Sequence, residues 1–143
     1  MRRLEVAGAA LSLAAGGLHA MAGPAHVEEW WVYGVFFFGA AAAQAAYGLV
    51  LLTQGIEGWG GWLAVRRVVY LGGIAMTLAI ISLWVVTRTV GVPVGPEAFE
   101  PEGIGVLDLS SKALEIALVL VLARLWWLAG RTGQAARRPT AVR

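Results

Sequence analysis

His26-Val27-Glu28-Glu29-Trp30-Trp31-Val32-Tyr33-Gly34-Val35-Phe36-Phe37-Phe38 is the stretch whose reading decides the fold class. It opens with a histidine and two carboxylates and turns wholly apolar and aromatic within one helical turn. Such a segment sits at a water–lipid boundary, with its acidic end wet and its tryptophans at headgroup level. The apolar run continues to about residue 53, enough to cross about 30 Å of hydrocarbon at about 1.5 Å per residue.

The rest of the chain agrees. Of its 143 residues, 59% are hydrophobic and 14% charged, and the mean hydropathy is +0.71. Soluble domains carry about a quarter charged residues, so this composition belongs to the membrane class and the length permits one domain. No cysteine is present, which excludes disulfides, thiolate metal sites and thiol nucleophiles. The net charge of +2 is too small and too dispersed for nucleic-acid binding.

Working outward from residues 26–38, an Ala- and Gly-rich span covers about 4–22. Its small residues suit close helix contact, and Gly23-Pro24 is expected to end it. Arg2-Arg3 followed by apolar sequence has the form of a signal peptide, but three more apolar segments follow, and the span is read as retained. The second span covers about 27–53. Gln44, its one strongly polar interior residue, should face the bundle and hydrogen-bond to a neighbour.

A Gly-rich connection, 54–61, leads to a third span over 62–86, with Arg66 and Arg67 snorkelling to the near surface. Residues 87–106 contain three prolines and several apolar side chains, and read as a shaped, ordered, non-helical cap. A fourth span covers about 108–128. The expected fold is an all-α membrane protein, a four-transmembrane-helix bundle over residues 1–130 with an ordered extracytoplasmic loop between the third and fourth helices. Residues 131–143 form a basic cytoplasmic tail.

Arg2, Arg3, Arg66, Arg67, Arg124, Arg131, Arg137, Arg138 and Arg143 fall on one side of this arrangement, and Arg88 and Lys112 on the other. The positive-inside rule then puts both termini in the cytoplasm and the protein in the inner membrane. Paired tryptophans mark both boundaries: Trp30, Trp31 and Trp84 outside; Trp59, Trp62, Trp126 and Trp127 inside.

Function should gather at the outer helix ends. His19 and Glu115 lie inside apolar sequence, where ionisable groups are costly and face an interior or a cavity. Asp108, Ser111, Lys112 and Glu115 fall at spacings of three, four and seven, on one helix face. Three readings stay open. His19, His26, Glu29, Asp108 and Glu115 could hold a divalent metal ion: Zn, Fe or Mn by ligand type, or Cu given Met21. The same groups could act as acid and base on an apolar substrate from the membrane. Or they could form an ion-pair network with Arg88 and Lys112 in a homo-oligomer or an accessory subunit of a larger membrane complex. Haem is disfavoured, because His19 and His26 flank a turn and could hardly ligate opposite faces of one ring.

His26-x-x-Glu29-Trp30-Trp31-x-Tyr33-Gly34-x-Phe36-Phe37, followed by Arg88-Thr89-x-Gly91-x-Pro93-x-Gly95-Pro96, resembles a group of small four-span bacterial membrane proteins. The resemblance implies the four-span fold and brings no activity, cofactor or partner. Small membrane isomerases of sterol type also place a histidine and carboxylates near one membrane face. Their spacing differs from this one, so that likeness implies only a reaction class.

Overall fold

The computed structural model describes residues 1–53 and 63–136, and among these all regular structure is helical. In chain order the helices are α1 (Arg2–Glu29), α2 (Trp31–Thr53), α3 (Leu63–Thr89) and α4 (Val106–Ala136). Among the described residues three spans are long and apolar enough to cross a membrane: Arg2–Glu29, Trp31–Thr53 and Val65–Thr89. At 31 residues α4 has the length, but Lys112, Glu115 and Arg124 interrupt its apolar run. The 54–61 connection, the interface roles of Trp59 and Trp62, and Arg137, Arg138 and Arg143 lie outside the described residues.

Small residues make α1 the central helix. It packs along both α2 and α4, while α3 packs on α4. A Cβ on Gly16 would come within 3.0 Å of the Ala41 carbonyl, and one on Gly48 within 2.9 Å of Leu13. Where lipid surrounds the helices, such close backbone approach replaces the hydrophobic drive for association. Among the described residues α2 and α3 share no close-packed backbone interface. Tyr47 bridges them instead, donating to the Val69 carbonyl at 3.1 Å across Gly73, where a Cβ would lie 2.1 Å from its hydroxyl.

The first corner differs from the sequence expectation. α1 does not end at Gly23-Pro24 but continues to Glu29, with Pro24 inside it. Proline removes one helical hydrogen bond. Packing on both sides of it keeps the helix going: Gly23 lies under the Phe38 ring, and a Cβ there would meet that ring at 2.7 Å. The break falls at Trp30, with extended φ −161° and ψ 127°. Val27 and Gly34 then touch so closely that a Cβ on Gly34 would fall 2.0 Å from Val27 Cγ2. His26, Glu28 and Glu29 therefore close α1 and do not open the second helix.

The bundle half nearest the chain termini is solid. Leu51, Tyr70, Leu118, Leu122 and Leu125 are fully buried there, with Ala9 and Ala129 beside them. At the other end the segment between α3 and α4 is an ordered cap, as its prolines and apolar residues led us to expect. Glu102 donates its N–H to the Thr87 carbonyl at 3.0 Å, and Tyr33 its hydroxyl to the Val94 carbonyl at 3.0 Å. Gly95 turns with φ +100°, and a Cβ there would lie 2.4 Å from that hydroxyl. α4 also runs past residue 130 to Ala136, so the proposed tail begins helical.

Candidate functional site

Glu5, Ser12, His19 and His26 recur every seven residues, so α1 presents them along one side. The first three are buried. Opposite His19, α4 supplies Glu115 and Lys112, and α2 supplies Gln44. His19 Nε2 lies 2.8 Å from Glu115 Oε1, and Gln44 Nε2 donates to the same oxygen at 3.1 Å. Lys112 Nζ pairs with the second oxygen, Oε2. Ser12 donates to the Gln44 carbonyl at 2.6 Å and fixes the α1–α2 register beneath the cluster. Glu115 is 0% exposed, His19 5% and Lys112 5%, which for charged groups requires this degree of pairing.

His19 and Lys112 of this cluster line a cavity of about 200 Å³. Trp30, Tyr33, Phe36, Phe37 and Trp84 give it an aromatic lining, Leu18, Ile80 and Leu83 an aliphatic one, and Val92 and Val94 of the cap cover it. His19, His26, Arg88, Glu102, Asp108 and Lys112 reach it as polar groups. His26 stacks on Phe37 with ring centroids 3.8 Å apart, and its Nδ1–H donates to the Ala22 carbonyl at 2.9 Å.

Arg88 clasps the cap to α4. It pairs with Glu102 and donates to Asp108 Oδ2 at 2.8 Å, and the Gly105 N–H donates to the same oxygen at 3.0 Å. The Asp108 carboxylate thus accepts from both the Arg88 guanidinium and the Gly105 N–H.

Of the five residues expected as metal ligands, four gather at or beside the cavity and Glu29 does not. His19 and Glu115 are in contact, and His26 and Asp108 line the same cavity as His19. Asp108 is committed to Arg88, and Glu29, the last residue of α1, is exposed and does not line the cavity. Among the described residues no group of three or more His, Cys, Asp or Glu could hold one metal ion.

Two residues were missed. Trp84, read as an interface anchor, lines the cavity, and its indole N–H is buried without a partner. Glu5 is 1% exposed, accepts from the Tyr70 hydroxyl at 2.7 Å and pairs with Arg66. Arg66 thus turns inward where snorkelling was expected. The seven-residue recurrence of Glu5, Ser12 and His19 was the available signal. Comparison with protein families, curated proteins and solved structures found no match.

Proposed function

We propose that the protein is a four-span inner-membrane protein that takes an apolar, oxygen-bearing small molecule from the lipid into this cavity and exchanges a proton with it through His19. The observation that carries the reading is that His19 and Lys112, both bonded to the buried Glu115, line a largely apolar cavity. In this reading α4 is the fourth span, its internal charges neutralised by the Lys112–Glu115 pair, and the arginine asymmetry places the termini in the cytoplasm and the cap outside.

Glu115 already accepts from Lys112 and Gln44, so as a carboxylate it receives the Nε2–H of His19. That hydrogen bond fixes the tautomer and leaves the Nδ1 lone pair for the cavity's occupant, as the acidic member of a catalytic triad does. With a carbonyl substrate, a C–H proton next to the carbonyl passes to Nδ1, and the electron pair moves onto the carbonyl oxygen. Lys112 stabilises the resulting enolate and Glu115 the imidazolium. Where the substrate has a double bond between its β and γ carbons, the enolate is a dienolate, and return of the proton to the γ carbon gives the conjugated isomer and restores His19, with no co-reactant consumed.

The test is hydrogen–deuterium exchange next to the carbonyl in apolar cyclic ketones, with protein in mild detergent and D₂O. Wild type should accelerate exchange by about 10²-fold or more over His19→Gln. Equal rates would end the acid–base reading. A second reading keeps one observation in its favour: Gln44 Oε1, next to Glu115, is buried without a donor. With His19 and Glu115 it could serve a divalent cation, and a stoichiometric metal in elemental analysis, lost in Glu115→Gln, would establish that instead.

A further inference from the structure

The terminal end of the bundle carries more cations than its carboxylates can neutralise. Among the described residues Arg2, Arg3, Arg66, Arg67, Arg124 and Arg131 lie towards that end against one carboxylate, Glu5, which is committed to Arg66 and Tyr70. Two adjacent indoles of α4 hold three of the others. Trp126 is partly buried and takes the Arg67 guanidinium of α3, 4.6 Å from its ring centroid. Trp127 is 42% exposed and takes two guanidiniums of its own helix, Arg124 at 4.5 Å and Arg131 at 4.6 Å from the ring centroid. Arg124, Trp127 and Arg131 stand at i, i+3 and i+7 on one face of α4, and both arginines are exposed. Among the described residues neither arginine pairs with a carboxylate. Two like charges gathered on one ring repel, so an anion shared between them is favoured.

The same face runs on towards the cap through Leu120, 66% exposed, and Ile116, 53% exposed. Trp127 back to Ile116 is about 16 Å of helix, close to one leaflet of a hydrocarbon core about 30 Å thick. We propose that this face binds an anionic phospholipid whose headgroup carries no cation, of the phosphatidylglycerol type. The phosphate oxygens accept from Arg124 and Arg131, Trp127 holds the two guanidiniums at headgroup level, and an acyl chain lies along Leu120 and Ile116. A choline headgroup would set its own cation against the two arginines, which disfavours a zwitterionic lipid. The proposal rests on α4 being the fourth span and does not depend on the chemistry at His19.

The experiment titrates the full chain in mild detergent with phosphatidylglycerol and with phosphatidylcholine of the same acyl chains, read by native mass spectrometry. Wild type should hold phosphatidylglycerol about tenfold more tightly. Arg124→Gln with Arg131→Gln should bring the two lipids together. Arg2→Gln with Arg3→Gln removes the same charge from the same end and should leave most of the preference. Equal affinities in wild type would overturn the proposal, and so would an equal loss in the two double variants, which would mean diffuse charge and no site. Millimolar inorganic phosphate should leave the lipid bound; displacement would mean an ion site without the chain and would also overturn it. Should the Arg124 and Arg131 double variant fail to fold, Arg131→Gln against Arg3→Gln makes the same comparison. Proton exchange through His19 should be the same in all these variants, so loss of the lipid preference leaves the cavity reading standing.

Discussion

The two ends of the bundle use the same ingredients to opposite effect. Near the termini Glu5 of α1 meets Arg66 and Tyr70 of α3; near the cap Glu115 of α4 meets His19 of α1 and Lys112. Each is a fully buried carboxylate: Glu5 joins α1 to α3, and Glu115 joins α4 to α1 and, through Gln44, to α2. What differs is the neighbourhood. Glu5 sits at the end of the bundle that holds the packed core of Leu51, Leu118, Leu122 and Leu125. The Glu115 cluster borders a cavity. A buried ion pair is by itself weak evidence for function, because it serves as a clamp equally well. Empty, shaped space beside it is what makes the cap end a site.

Removing each carboxylate tests that contrast. Glu115→Ala should be the most damaging change, because it leaves Lys112 charged and buried and strands His19 and Gln44; a loss of about 3–5 kcal/mol is expected. Thermal unfolding in detergent reads it, and a loss below about 1 kcal/mol would mean that Lys112 finds another partner. Glu5→Ala should cost less, about 1–3 kcal/mol, since Arg66 is near enough to the helix end to turn back to water. Proton exchange through His19 should be unchanged by it, and a defect there would join the two ends that the comparison separates.

His19→Gln should cost only about 1 kcal/mol in stability, one hydrogen bond, while abolishing proton exchange. A large stability loss with exchange intact would make His19 a clamp like Glu5. The smallest effect concerns the cap. Asp108→Asn weakens the clasp of Arg88 on α4, so protease cleavage of the 90–105 cap should be faster than in wild type; equal cleavage would mean that the Glu102 pair holds the cap by itself.

Much was legible in sequence because the bilayer allows so few solutions. Apolar length acts locally and is decided by the transfer of a short segment between water and lipid, and the prolines of residues 87–106 act locally on the backbone. The inward turn of Gln44 and the pairing of Arg88 with a carboxylate also followed, since an intramembrane polar group must find a partner. The first corner did not follow: Pro24 is a helix breaker by local rule, and contacts of Gly23 with Phe38 override it. Nor did the partition of the ionisable groups. Which carboxylate goes to which cation depends on helix rotation and on neighbours far apart in the chain, such as His19 with Glu115 and Glu5 with Arg66. Sequence by itself determined that polar groups would be buried at the cap end and would need partners. Only the tertiary structure decided that His19 and Lys112 line a cavity while Glu5 sits at the packed end of the bundle, because cavities arise from what the packing of four helices leaves unfilled.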